Sequence, residues 1–184
     1  MLSVENAQVF VAEQGKGIPT LFLHGFPDSG DLWKGIVPTL AAHYRCIAPD
    51  LPGFGRSIAP DNFDVSLSGM TRFIDGLVEA LDIHEGLNLV VIDFGGHFGL
   101  AWASQHPDKL RRLAIMNTSF FSDYRWHRAA QMIRTPLLGE IVAAMLSPAL
   151  MKNSLKQGSP SLTSAQLNYA DSLYITPALK HMML

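Results

Sequence analysis

The chain has 184 residues, a formal net charge of −2, 48% hydrophobic residues and 16% charged ones. That length is enough for one domain with a substantial core, and a composition this apolar excludes a disordered chain. The near-neutral charge leaves no basic footprint for nucleic acid.

One cysteine, Cys46, forms no internal disulfide, and the opening MLSVENAQVF has neither a basic start nor a long apolar core. Both point to a cytoplasmic protein without a leader. The longest apolar helical stretch, Ile141–Met151, is interrupted by Pro148 and is too short to span a bilayer.

Ser3–Glu13 alternates and ends at Gln14-Gly15-Lys16-Gly17, which predicts a hairpin opening the sheet. Pro19–Leu23 is a second apolar run, ending at His24-Gly25-Phe26-Pro27. Trp33–His43 has helical spacing and leads to a strand at Tyr44–Ala48 carrying Cys46. Asp50–Ser57 (DLPGFGRS) is a turn-rich loop. Leu67, Met70, Phe73, Ile74, Leu77, Val78 and Leu81 form the apolar stripe of an amphipathic helix over Ser66–Leu81. A strand then runs into Asp93, a helix covers Gly96–His106, and another strand covers Arg112–Met116. Strands alternating with helices predict a mostly parallel α/β sheet of about six strands.

The pattern changes after Asn117. Phe120–Leu184 consists of helical stretches broken by Pro136, Pro148, Pro160 and Pro177. It reads as a small helical lid, with residues 1–118 as the core and 119–184 as an incomplete cap. Its Met and aromatic stripes read mainly as packing.

The stretch Asn88–Leu100, NLVVIDFGGHFGL, carries the most chemistry. Leu89–Ile92 is short, β-branched and continuously apolar, as a buried parallel strand must be. Asp93 follows it directly, and Phe94-Gly95-Gly96 then allow a sharp strand-to-helix turn of the nucleophile-elbow kind. Asp93 also suits a helix N-cap, where a carboxylate accepts from free N–H groups. As the lifted residue of an elbow, it would attack carbon and form an ester that water then cleaves.

On His24-Gly-Phe-Pro27, the loop Asp50–Ser57, the elbow Val91–Gly96, the strand Leu113–Asn117 and the lid stretch Pro160–Tyr169, the chain resembles the α/β-hydrolase superfamily, in its haloalkane dehalogenase and epoxide hydrolase branch. The resemblance implies that Asp93 is the nucleophile and that the backbone N–H groups of Phe26 and Phe94 form the oxyanion hole. It gives Pro27 a part in shaping the loop and His24 a structural, loop-holding role. It implies no metal and no cofactor, and a small apolar molecule as substrate.

The resemblance also implies two further strands after the lid, with a second carboxylate and a histidine base. The chain ends at Leu184, inside the lid, and His43, His84, His97, His106, His127 and His181 do not stand where that base belongs. His97, just after the glycine pair, is expected to point away from the nucleophile. Asn117 stands where some relatives carry their acid, but an amide supplies no charge. A truncated product, a fragment, or one half of an assembly with a complementing chain or a second copy is therefore expected. Without a base, the ester would form but not turn over.

Two chemistries remain open. Haloalkane dehalogenases hold the leaving halide with an indole N–H beside the nucleophile, where this chain has Phe94, and with an Asn in the HGxP loop, where it has Phe26. Trp126 is the remaining indole candidate. Epoxide hydrolases protonate the leaving oxygen with lid tyrosines, for which Tyr124, Tyr169 and Tyr174 are candidates. The lid stretch and Leu113–Asn117 favour the dehalogenase group. No G-x-S-x-G serine motif and no G-x-G-x-x-G dinucleotide motif occurs. The rival of another class is a degenerate fold kept for binding.

Overall fold

The structure, a computed structural model, describes residues 1–121, 123–126, 128–173 and 175. These divide into two compact units, 1–124 and 125–184, and each is taken by itself.

In the first unit, β1 (Leu2–Val4) and β2 (Ala7–Val9) pair antiparallel as a separate two-stranded hairpin. The main sheet has five strands: β3 (Val11–Gln14), β4 (Ile18–Leu23), β5 (Tyr44–Pro49), β6 (Leu87–Ile92) and β7 (Leu110–Met116). Their order is β3-β5-β4-β6-β7, with β3 antiparallel to β5 and the remaining pairs parallel.

This corrects one expectation. The opening hairpin turns at Glu5-Asn6, with Glu5 at φ 52°, rather than at Gln14–Gly17. Across that second turn β3 and β4 do not pair, because β5 lies between them. The main sheet of five strands fits the expected sheet of about six, and the first two strands form their own ladder.

Alternation along the strands assigns the two faces of the sheet. Leu21, Leu23, Ile47, Leu89 and Val91 are fully buried on one face. Against them lies α3 (Asp93–Gln105), whose Gly99 backs directly onto Val91, Leu23 and Leu89. Helix α2 (Leu67–Ala80) packs beside α3. Its N-cap is Ser66, whose hydroxyl accepts from Gly69 N–H, and Met70, Phe73, Ile74, Leu77 and Val78 of the expected stripe are buried, whereas Leu67, next to the cap in the first turn, is exposed.

On the other face Phe22, Cys46 and Ala48 meet Trp33. The helix expected over Trp33–His43 is in fact a 3₁₀ turn, Gly30–Gly35, followed by the one-turn α1 (Val37–Leu40) with Pro38 in its first turn. β7 is the least covered strand. Its Leu113 and Ile115 are 40% and 44% exposed, although its continuous apolar run is the kind that parallel sheets bury on both faces.

The second unit contains α4 (Arg128–Ile133), α5 (Leu138–Met145), α6 (Pro148–Gly158), α7 (Ser164–Leu167) and a 3₁₀ turn at Asn168–Ser172. Ser147 caps α6, and Thr163 caps α7 in a reciprocal capping box with Gln166. Lys152 on α6 reaches both Asn168 and Asp171. Among the described residues no helix is long and apolar enough to cross a membrane.

The α2 stripe generates a direct test. Leu77→Ala, at a fully buried position, should lower the unfolding free energy by about 2–5 kcal/mol. Leu67→Ala, on the same helix but 54% exposed, should change it by roughly 0.5 kcal/mol or less. Urea unfolding of both variants checks this, and equal losses would contradict the packing described.

Candidate active site

β6 ends at Ile92 in an extended conformation, and α3 begins at the next residue. Asp93 is therefore the first residue of the helix, three residues earlier than the expected start at Gly96. It is not the N-cap; that place belongs to Ile92, which makes no side-chain cap. Asp93 sits at φ 51°, a left-handed conformation that costs a non-glycine residue roughly 1–2 kcal/mol. Such strain collects at functional sites.

The strained turn is tied down on two sides. Asp93 N–H donates to Asn117 O at 3.3 Å, and Thr118 Oγ1 donates to Asp93 O at 2.7 Å. Both partners follow the end of β7, and Asn117 itself has φ 36°.

The approach of neighbouring backbone explains the glycines. A Cβ on Gly25 would overlap the Asp93 side chain, and one on Gly95 would press on the carbonyls of Leu23 and His24. The loop after β4 and the first turn of α3 therefore meet with almost no side-chain volume between them.

That closeness brings Phe26 N–H to 2.9 Å from Asp93 Oδ1. Among the described residues Oδ2 accepts no hydrogen bond. The Phe26 and Phe94 rings meet edge-on at 6.5 Å, and Phe94 lies 5.6 Å from the His97 ring and 6.2 Å from Phe98. The carboxylate thus stands exposed at the top of the sheet beside aromatic rings. His97 Nε2 is engaged with Ser119 Oγ at 2.6 Å.

His24 is fully buried. Its Nδ1 lies 2.8 Å from Gly25 O, and its Nε2 accepts from Leu51 N–H at 2.9 Å. A carbonyl only accepts, so the ring carries its hydrogen on Nδ1 and leaves Nε2 as the acceptor. Burial pushes this histidine down from 6.5 to about 4, against smaller raising effects from the Gly25 carbonyl and the charges of Asp50 and Asp93. His24 holds the loop and stays neutral.

Of the four lid residues expected to meet substrate, Tyr124, Trp126 and Tyr169 are among the described residues. Tyr124 is exposed at the end of the first unit. Trp126 and Tyr169 belong to the second unit, where Gln131 donates to the Trp126 carbonyl and the Arg134 guanidinium lies 5.2 Å from the indole. Tyr174 lies outside the described residues. A cavity of about 260 Å³ is lined by Thr20, Asn88 and Arg112, early in their strands, and so lies away from Asp93. Among the described residues no cluster of His, Cys, Asp or Glu is arranged to hold a metal.

A family model described as alpha/beta hydrolase fold matches residues 19–139. The chain belongs to the α/β-hydrolase fold family. A haloalkane dehalogenase of Agrobacterium fabrum is 42% identical over 108 residues, covering 59% of this chain and 35% of that protein. A cis-3-alkyl-4-alkyloxetan-2-one decarboxylase of Shewanella oneidensis is 32% identical over 122 residues, covering 65% and 38%. The crystal structure of the haloalkane dehalogenase DatA from Agrobacterium tumefaciens superposes with a TM-score of 0.79 at 29% identity, over 98% of this chain and 64% of that one. An epoxide hydrolase from Vigna radiata shares the fold, with a TM-score of 0.78 at 23% identity. The two curated relatives are thus a haloalkane dehalogenase and an oxetan-2-one decarboxylase, while the epoxide hydrolase shares the fold. It spans 35% and 38% of the two curated relatives.

The low value for His24 has a sign that can be tested. Between about pH 4 and 6.5 the unfolded chain binds a proton here that the native chain does not. Stability from this residue is therefore complete above 6.5 and is lost as pH falls toward 4, by about 3 kcal/mol in all. Denaturant unfolding across that range should show this slope, and His24→Gln should remove it. A slope unchanged by the substitution would contradict the assignment.

Proposed function

We propose that Asp93 is an ester-forming nucleophile acting on a small apolar electrophile, as a haloalkane dehalogenase-like hydrolase. The observation that carries this reading is the asymmetry of the carboxylate: Oδ1 is held by Phe26 N–H at 2.9 Å, while Oδ2 has no protein partner among the described residues. One oxygen is oriented and the other is open to attack.

In the proposed step an Oδ2 lone pair forms a bond to an sp³ carbon, and the carbon–halogen bond breaks with its electrons leaving on the halide. Oδ1 becomes the carbonyl oxygen of the ester. When water attacks the Asp93 Cγ, negative charge builds on Oδ1, where the N–H groups of Phe26 and Phe94 would stabilise it. The alcohol then leaves with a proton.

The water requires a general base. Among the described residues no histidine hydrogen-bonds Asp93: His24 is committed to Gly25 and Leu51, and His97 to Ser119. Where no base reaches the water, the ester outlasts its formation.

The dehalogenase reading draws on the 42% identical relative. A second reading is the opening of a strained oxygen ring, an epoxide or an oxetan-2-one. It is favoured by the phenylalanines at 26 and 94, whose rings carry no N–H to hold a halide, and by the decarboxylase relatives.

Intact-mass spectrometry after incubation with short bromoalkanes, a styrene-type epoxide and an alkyl oxetan-2-one tests both readings. A single stable adduct should form in the wild type and be absent in Asp93→Asn, and the reactive compound identifies the chemistry. No adduct from a folded sample, or an adduct that persists in Asp93→Asn, would overturn the assignment in favour of a binding role.

A further inference from the structure

The segment that carries the Phe26 N–H is gripped at both ends by one loop, residues 50–57, which follows β5. At the front, Leu51 N–H donates to His24 Nε2 at 2.9 Å. At the back, the fully buried Asp50 accepts from Gly30 N–H through Oδ1 at 2.7 Å. Between these anchors lie Gly25, Phe26 and Pro27, with a tight turn closed by Asp28 N–H to Gly25 O at 2.9 Å.

Arg56 joins the two strands of this grip. Its Nε donates to Asp50 Oδ2 at 2.7 Å and its Nη2 to Asp50 Oδ1 at 2.9 Å, while its own backbone N–H donates to Oδ2 at 2.8 Å. The same Nη2 reaches Asp31 Oδ1 at 2.7 Å, on the chain directly after Gly30. The guanidinium lies 3.6 Å from the centre of the Phe10 ring, which covers it. Ser57 completes the loop, its hydroxyl donating to Asp50 O at 2.6 Å and accepting from Phe10 N–H at 2.9 Å. Gly55 permits all of this at φ 55°, since a Cβ there would overlap the Asp50 carboxylate.

We propose that Arg56 is a positioning residue for the Asp93 carboxylate, bridging Asp50 and Asp31 so that segment 24–31 keeps the Phe26 N–H on Oδ1. The inference rests on the reading of Asp93 as the nucleophile. Its physical basis is the planar guanidinium fork, which satisfies two carboxylates from different segments at once; an ammonium is a single point charge and does not reproduce that geometry. With the bridge lost, Gly30 N–H keeps the Asp50 carboxylate and Asp31 keeps Lys34, but nothing among the described residues ties Asp31 to Asp50, and the Phe26 amide moves relative to Oδ1. A misplacement of about 1 Å at a reacting group costs on the order of 100-fold in rate.

Arg56→Met removes the fork while keeping the aliphatic stem. Arg56→Lys keeps the charge and reaches one acid instead of two. Two measurements are made on each variant. The first is the rate of Asp93 alkylation by a bromoalkane, followed by intact mass over a range of probe concentrations. The second is hydrogen exchange at the Phe26 amide, with the Ile74 amide in the core helix α2 as reference.

For Arg56→Met the maximal alkylation rate should fall by about tenfold or more, with the half-saturating probe concentration within about twofold of wild type. The Phe26 amide should exchange about tenfold faster while Ile74 is unchanged. Arg56→Lys should fall between, and it decides the matter alone if the methionine variant does not fold. Wild-type alkylation rates or wild-type Phe26 protection in a folded variant would overturn the proposal. So would equal acceleration of exchange at Phe26 and Ile74, the mark of a merely stabilising role. If the wild type itself forms no adduct, the nucleophile reading fails, while the exchange comparison still reports whether Arg56 holds the Phe26 amide.

Discussion

The hydrogen bond from Phe26 N–H to Asp93 Oδ1, 2.9 Å long, is the contact on which the site depends, because it makes two equivalent carboxylate oxygens inequivalent. An unheld carboxylate on an exposed turn rotates, and each of its oxygens points at the right place only part of the time. Fixing one oxygen with a backbone donor orients the other without side-chain entropy at the donor. The same donor stands where charge would collect if the ester were hydrolysed. One amide therefore serves both halves of the proposed chemistry.

Most of what surrounds this contact serves to bring two backbone segments within reach of each other. Parallel pairing of β4 with β6 sets Leu23 beside Val91, so the loops that leave both strands emerge side by side. Gly25 and Gly95 remove the side chains that would hold those loops apart. His24, buried and neutral, spans from the Gly25 carbonyl to the Leu51 amide, which a protonated ring could not do. The positive φ at Asp93 is strain that this packing sustains, and it turns the carboxylate out of the sheet toward the Phe26 amide.

Local features were legible in the sequence where the code is local. The run Leu89–Ile92 and the stripe within Ser66–Leu81 have periods that specify a strand and a helix, and the glycines after Asp93 specify a sharp strand-to-helix turn; these elements formed there. The start of α3 was misplaced because the two glycines suggested a later beginning. The turn instead needs both inside the first helical turn, Gly95 under the His24 and Leu23 carbonyls and Gly96 against Thr118. The hairpin at the chain start was misplaced for a different reason: alternation reveals a strand but not its neighbour, and β5 inserts between β3 and β4. Arg56 was invisible as anything but a loop residue, since its partners Asp31 and Asp50 are joined to it only by the fold. Tyr124, Trp126 and Tyr169 rest on the resemblance of the lid, because no periodicity or turn chemistry in the chain ties a lid side chain to Asp93.

The central claim is that the Asp93 carboxylate attacks through Oδ2 while Oδ1 stays on Phe26 N–H. A crystal structure of the protein after reaction with its alkylating partner tests it most directly. The account predicts continuous density from Asp93 Oδ2 to the alkyl carbon, with Oδ1 as the ester carbonyl still within hydrogen-bond distance of the Phe26 amide. An alkyl group on another side chain such as His97, or an ester carbonyl turned away from Phe26, would contradict it.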